Sequence, residues 1–139
     1  NASDYVSRQE FNAFATPLLN NYKNIKAIEW VPYITHEQRH VYEKQARDDG
    51  IIDFTFTEIS ATGDMVLAND RESYLPVYYV EPLEGNERAM GLDNGANKER
   101  LNTISKAINS ADKVVTGKIN LVQAAEDSAE VLLALLSWF

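Results

Sequence analysis

The clearest candidate for a catalytic motif is the sequence His-Glu-Gln-Arg-His at residues 36–40, which matches the zinc-peptidase pattern H-E-x-x-H. Two histidines at i and i+4 on a helix share a face and can hold zinc, with the glutamate as general base. However, the run falls in the first turn of its helix, and catalytic zinc needs a third protein ligand. The extended zinc-peptidase pattern would need glycine and histidine where this chain has Glu43 and Ala46, and the candidate third ligand, Glu58, lies in a predicted strand. We therefore expect a solvent-exposed helix face without metal, with a zinc-dependent hydrolase as an alternative hypothesis.

A second polar candidate is Asp93, which follows an apolar stretch and begins the turn sequence Asp-Asn-Gly. A carboxylate at this position suits a turn and the start of a helix. It could instead lie in a ligand pocket and accept hydrogen bonds from ligand N–H or ammonium groups. Further candidates could line the same apolar pocket with its few polar groups: Tyr74, Tyr78, Thr116, Leu121 and Gln123. Taken singly, most of these also suit an ordinary core or sheet position.

The composition argues against several other classes of function. The length of 139 residues predicts one domain. Because the chain has no cysteine, it cannot contain a Cys-His catalytic pair, and because both histidines fall in one helical turn, no Ser-His-Asp triad can be proposed. Gly91 and Gly95 lack the strand-turn-helix context of a phosphate-binding loop. The net charge of -8 and pI near 4.7 argue against binding to nucleic acid or to anionic lipid. No apolar run approaches the about 18 residues of a membrane span.

The element that must position Asp93 is a strand predicted from Ser73 to Glu81. Its tyrosines and valines favour a pleated strand, and apolar side chains on both faces predict a place in the middle of a domain. Pro76 cannot donate a ladder hydrogen bond and therefore favours an edge or a bulge. The turn residues Pro82 and Gly85 then return the chain toward Asp93.

The remaining elements follow from periodicity and helix caps. Capping boxes at Ser7–Glu10 and Thr35–Gln38 begin two helices, and Pro17 should kink the first helix or restart a second one. The expected elements are a helix with an apolar stripe from Phe11 to Tyr22, a strand at 25–31, a helix at 36–49 ended by Gly50, a strand at 51–59, a loop at 60–72, the strand at 73–81, a helix from about Asn97, a strand at 114–123 and a last strand at 130–136. This set predicts an α+β domain with an antiparallel sheet.

Three blocks in the central hairpin carry a resemblance to a known family. They are Tyr74 to Pro82, which reads aromatic-x-Pro-Val-x-Tyr-Val-x-Pro, then Asn86-Glu87, then Gly91-Leu92-Asp93. Flanking blocks match in the same order: Phe11, Leu18-Leu19, Ile28 to Pro32, Arg100 and Leu121 to Gln123. Over roughly residues 7 to 135, the chain resembles the CHASE domain, the extracytoplasmic sensory module of membrane-bound histidine kinases and nucleotide cyclases.

The resemblance implies a PAS-like five-stranded antiparallel sheet with flanking helices and an N-terminal helix. Residues 1–2 are expected to be the remnant of a cleavage site, residues 3–24 an N-terminal helical segment and residues 25–139 the PAS-like sensor domain. The family follows its last strand with a Pro-Val-Tyr element, whereas this chain reads Leu-Ser-Trp-Phe at 136–139.

For function, the resemblance implies a periplasmic or extracellular ligand-sensing domain that is not itself an enzyme and needs no cofactor. The parent receptor would end in a histidine kinase or a diguanylate or adenylate cyclase, joined through membrane spans outside this chain. In plant cytokinin receptors an aspartate of this block contacts the ligand, and the resemblance assigns that role to Asp93. The apolar stripe of the N-terminal helix is typical of packing onto its own domain; because such a helix leads from the membrane in the family, the resemblance implies as the alternative a homodimer through this helix. A protein interaction module without a small ligand is the second alternative.

Overall fold

The computed structural model describes residues 6–23 and 25–96 in full, and the backbone of three C-terminal strands at 115–116, 119–123 and 131–137. The chain begins with helix α1 (Arg8–Asn21), capped as predicted: the Glu10 N–H donates to Ser7 Oγ (3.1 Å) and the Ser7 N–H donates to Glu10 Oε1 (2.9 Å). The helix runs through Pro17 without a break, so the alternative of a second helix starting there is wrong. None of the helices among the described residues is long and apolar enough to cross a bilayer.

One five-stranded sheet organises the fold. Its strands are β1 (Ile25–Val31), β6 (Tyr79–Glu81), β7 (Val115–Thr116), β8 (Ile119–Gln123) and β9 (Val131–Ser137), in the spatial order β6-β1-β9-β8-β7. The pairing is antiparallel except between β1 and β9, which run parallel. The expectation of a wholly antiparallel sheet is therefore wrong at that pair. A parallel neighbour requires a long connection, and here residues 32–130 lie between the two strands.

Within residues 25–96, four short strands lie outside that sheet and form two antiparallel pairs. They are β2 (Ile34–Thr35), β3 (Thr57–Ile59), β4 (Met65–Leu67) and β5 (Ser73–Tyr74), paired as β2 with β5 and β3 with β4. The predicted strand at 73–81 is thus divided into β5 and β6. Pro76 lies between them and forms only an isolated bridge with Asp93, as its missing N–H requires. Every residue from 74 to 80 is buried, which confirms the central position expected from its two apolar faces.

The strand predicted at 51–59 is wrong over most of its length, because only β3 at its end is extended and paired. Helix α2 (Arg39–Asp48) supplies the reason. The Arg47 guanidinium donates to Phe54 O (2.8 Å), and Glu43 Oε2 accepts the Phe56 N–H (2.8 Å). These side chains form hydrogen bonds with backbone groups that would otherwise pair with a neighbouring strand. Ile52, which would share one face of a strand with the buried Phe54 and Phe56, is instead 78% exposed.

The predicted helix at 36–49 is a 3-10 turn (His36–Gln38) followed by α2, and Gly50 ends it with φ of 109°. The helix predicted from about Asn97 lies outside the described residues, which reach a 3-10 turn at Asn94–Ala96. The strand predicted at 114–123 divides into β7 and β8, which pair with each other, and the strand predicted at 130–136 is confirmed as β9.

Aromatic residues form the core between α1, α2 and the sheet. Edge-to-face ring pairs join Phe54 to Phe56 and to Tyr78, and Phe56 to Tyr74, with centroids 5.3–6.0 Å apart. From α1, the Phe11 ring lies 5.6 Å from the Tyr79 ring. Such pairs contribute beyond the area that they bury, so the core fixes the hairpin that carries the candidate site.

Candidate functional site

Asp93 ties together three stretches of chain. Its backbone N–H donates to Thr57 O (2.8 Å), and its Oδ1 accepts the N–H groups of Leu75 (2.8 Å) and Gly95 (2.9 Å). The residue is 2% exposed. The bond to Gly95 is the turn contact expected from the Asp-Asn-Gly sequence, while the bond to Leu75 anchors the buried hairpin.

Arg71 closes the site from the outside. Its Nη1 donates to Asp93 Oδ2 (3.2 Å) and its Nη2 donates to Glu58 Oε1 (2.6 Å). The Asp93 side chain is 0% exposed and that of Glu58 is 13% exposed, but that of Arg71 is 27% exposed. One guanidinium therefore forms ion pairs with two carboxylates and separates the deeper one from solvent.

The pKa values of the Asp93 and Glu58 carboxyl groups are shifted in opposite directions. Burial raises the pKa of the Asp93 carboxyl above its ordinary value, although the N–H groups of Leu75 and Gly95 and the charge of Arg71 act against the rise. The backbone N–H of Asn69 lowers the pKa of Glu58, and Arg71 lowers it further. Pairs of acids whose surroundings separate their pKa values are common at functional sites.

The backbone conformation and close packing at Gly91 explain why a glycine stands in the Gly-x-Asp block. It has φ of 88°, a conformation that side chains with a Cβ rarely adopt. A Cβ there would also collide with the backbone oxygen of Thr55. Gly91 thereby lets the segment lie between two neighbours, with its N–H donating to Val77 O (2.8 Å) and its O accepting the Thr57 N–H (2.9 Å). This close packing sets the position from which Asp93 reaches Leu75.

Tyr74 lies beside the Asp93 site and is linked to it through Arg71. Its hydroxyl accepts the backbone N–H of Arg71 (3.0 Å) and Nη1 of Arg39 (3.2 Å), and it lies 2.8 Å from Nδ1 of His36. Tyr74 is 1% exposed. The structure therefore brings Asp93 and Tyr74 into one polar network through Arg71.

The other four candidate ligand-binding residues lie in other parts of the fold. The Tyr78 hydroxyl donates to Tyr42 O in α2 (2.8 Å), away from the Arg71 network. Thr116 is in β7, and Leu121 and Gln123 are in β8. Thr116 pairs with Ile119, so Thr116, Leu121 and Gln123 follow one alternating register across the two strands. Their side chains lie outside the described residues.

In the part of the chain that is described, the H-E-x-x-H sequence does not form a metal-binding site. His36 is in the 3-10 turn and His40 in α2. The candidate third ligand, Glu58, bonds instead to the Asn69 N–H (2.7 Å) and to Arg71. Among the described residues, no group of three or more histidine, cysteine or acidic side chains is close enough to hold a metal ion.

The network contains three residues that the sequence alone did not single out. The structure places β4 (Met65–Leu67) inside the segment predicted as a loop at 60–72, and Arg71 follows that strand, where no periodicity marked it. Arg39 and Glu43 form an i, i+4 ion pair on the α2 face that also buries Ala46. The i, i+4 spacing of Arg39 and Glu43 was the sequence signal that could have identified this pair.

One known protein family matches almost the whole chain. The CHASE domain family model matches residues 4–136, which includes the hairpin, the Gly-x-Asp block and the strands of the main sheet. No curated protein matches the chain significantly. Since the matched region spans nearly all 139 residues, the chain belongs to the CHASE domain family.

Proposed function

We propose that this CHASE domain senses a small molecule outside the cytoplasm and passes the signal across the membrane to a kinase or cyclase. The family is a sensory, non-catalytic one, which supports a receptor role over the zinc hydrolase. The observation that carries the proposal is the enclosed Asp93 carboxylate, which lies in the family's own Gly-x-Asp block and is covered by a partly exposed arginine, Arg71.

The proposed fold of the sensor is PAS-like. It is supported by the sheet order, in which the first and last strands are neighbours in the middle. It is also supported by α1, which packs across β1 and β6 through Phe11 and Ala15. A sheet of this kind leaves one face for a ligand pocket, and Tyr78, Thr116, Leu121 and Gln123 remain proposed lining residues.

The proposed ligand carries N–H or ammonium groups. A carboxylate offers about four acceptor positions, and the contacts of Asp93 with Leu75, Gly95 and Arg71 use three of them. Because Arg71 is the only one of these donors on a partly exposed side chain, it is the donor that a ligand would replace. Glu58 would then retain Arg71 in its displaced position.

A thermal-shift screen tests the sensor proposal. A ligand that binds the folded domain stabilises it by mass action, by about 2.7 kcal/mol at a concentration of one hundred times Kd. We expect cationic or N–H-rich small molecules to raise the melting temperature, and neutral ligands without donors to have no effect. A screen in which no small molecule raises it would favour the protein interaction module instead.

The receptor is proposed to signal as a homodimer through α1. Phe11 and Ala15 of this helix are buried in the core, whereas Phe14 is 41% and Tyr22 is 55% exposed. Isolated apolar residues on a surface are common, but here they share a helix that leads toward the membrane in the family. A ligand would act by favouring one of two packings of the domain, through a difference in affinity for the two states.

We expect Phe14→Glu to weaken self-association of the isolated domain in sedimentation at high concentration. Wild type should associate weakly, because the spans proposed for the parent would normally hold the subunits together. Val41→Glu places the same charge at a residue of α2 that is 58% exposed, and it should leave association unchanged. A strict monomer in wild type, or equal loss in both variants, would contradict the proposed interface.

A further inference from the structure

The turn that carries Asp93 also contains the one Asn-Gly pair of the sequence, Asn94-Gly95. Asparagine followed by glycine is prone to spontaneous deamidation, because a glycine has no Cβ to keep its nitrogen away from the asparagine side chain. In this reaction the glycine nitrogen attacks Cγ of the asparagine and forms a cyclic imide. The Cγ–Nδ2 bond breaks, and ammonia leaves with the proton of the glycine N–H. Water then opens the imide at either carbonyl and gives aspartate or isoaspartate.

The attacking nitrogen is hydrogen-bonded in the folded domain. The Gly95 N–H donates to Asp93 Oδ1 at 2.9 Å. Attack requires this N–H to lose its proton, and the charge of the carboxylate opposes the negative charge that would form on the nitrogen. A hydrogen bond to an ionised acceptor is also roughly twice as strong as one between neutral groups. Asp93 therefore holds the Gly95 nitrogen in its unreactive form.

The group that would be attacked is fixed as well. Asn94 is 1% exposed, and its Nδ2, the atom that would leave as ammonia, donates to Leu75 O at 3.0 Å. The backbone N–H of Asn94 donates to the same oxygen at 2.8 Å. Formation of the imide thus requires the carboxamide to leave Leu75 and the Gly95 N–H to leave Asp93, so the turn must open first.

We propose that Asn94 is a latent deamidation site, which Asp93 protects for as long as the turn stays closed. This role of Asp93 acts through its bond to Gly95 and is separate from its bond to Leu75, which anchors the hairpin. The protection needs no ligand, so it and the proposed sensing of a small molecule can fail independently.

The deamidated side chain would not fit the closed turn. An aspartate at position 94 has no donor for Leu75 O when it is ionised, and it places a second carboxylate next to Asp93 at a buried position, which is unfavourable. Isoaspartate lengthens the backbone by one methylene group between Asp93 and Gly95, the two residues that the turn joins. Both products therefore disfavour reclosure, and deamidation removes the candidate site irreversibly.

The rate of deamidation in Asp93→Ala tests the protective role. Protein is incubated at mildly alkaline pH, and mass spectrometry of the peptide containing Asn94 measures deamidation and isoaspartate. Asp93→Ala should deamidate at least about tenfold faster than folded wild type, which is the factor expected for loss of a hydrogen bond to a charged acceptor. An unchanged or slower rate would overturn the proposal; a slower rate would mean that the carboxylate promotes the attack as a base.

Phe11→Ala separates loss of the Gly95 bond from general loss of stability. Phe11 is 2% exposed and packs against the Tyr79 ring from α1, so its truncation destabilises the core and leaves the turn residues intact. The two variants are compared at denaturant concentrations that give them equal free energies of unfolding. Asp93→Ala should still deamidate faster at Asn94. Equal rates would show that deamidation follows global unfolding and would overturn the role of Asp93.

Two measurements on wild type test the closed turn without any variant. The Gly95 amide should exchange slowly with deuterium, because its N–H is bonded to Asp93. Asn94 should deamidate much more slowly in the folded protein than in the denatured chain. Fast exchange at Gly95, or equal deamidation rates in folded and denatured protein, would overturn the proposal.

Discussion

Asp93→Ala should lower the free energy of unfolding by about 3–5 kcal/mol, the cost of breaking a buried pair. The substitution removes the acceptor for the N–H groups of Leu75 and Gly95, and an unsatisfied buried donor costs about 1–3 kcal/mol. It also leaves Arg71 with one carboxylate in place of two. Chemical denaturation monitored by tryptophan fluorescence measures the loss.

Asp70→Ala is the matched control for this result. Asp70 adjoins Arg71 in sequence, but its side chain is 87% exposed. Its Oδ1 lies 3.8 Å from Arg39 Nη1, so it forms an exposed ion pair. Exposed ion pairs contribute about 0–1 kcal/mol, so the control should retain nearly full stability. If Asp93→Ala lost less than about 1 kcal/mol, the carboxylate would not be the anchor of the hairpin.

Gly91→Ala should lower the free energy of unfolding by about 2–5 kcal/mol. Its φ of 88° imposes a backbone cost of about 1–2 kcal/mol on a residue with a Cβ. The new methyl group would also collide with the Thr55 carbonyl, and overpacking costs about 1–3 kcal/mol more. The collision is with backbone, so no side-chain rotation can relieve it.

Gly85→Ala separates the two contributions. Gly85 has φ of 89°, and a Cβ there meets nothing within 4 Å. It should therefore show the backbone cost alone, about 1–2 kcal/mol. Equal losses at the two glycines, measured by the same denaturation, would contradict the close packing between Gly91 and Thr55.

The hairpin and its aspartate could be predicted because their signals are local. Apolar residues on both faces of 73–81 indicated burial, and each residue from 74 to 80 is buried. Pro76 predicted an edge or a bulge in a single strand, whereas the strand is divided there into β5 and β6. The Asp-Asn-Gly turn likewise predicted the Gly95 contact that Asp93 makes.

Other features could not be predicted because their causes are distant in sequence. The segment at 51–56 alternates like a strand, yet Arg47 and Glu43 of α2 bind its backbone groups. Arg71 has no local pattern, and its role depends on Glu58 and Asp93 meeting it in space. Similarly, the parallel pairing of β1 with β9 joins opposite ends of the chain.

Ligand affinity of Asp93→Asn tests the sensor account most directly. The amide keeps the size of the carboxylate and an oxygen for Leu75 and Gly95, but it removes the charge. With a ligand from the screen, calorimetric titration should show at least about tenfold weaker binding, because a hydrogen bond to a charged group contributes about 1.5–3 kcal/mol. The melting temperature of the free domain should also fall, since the bond to Arg71 weakens. A lowered melting temperature with unchanged affinity would contradict the role of Asp93 in binding and reduce it to an anchor of the fold.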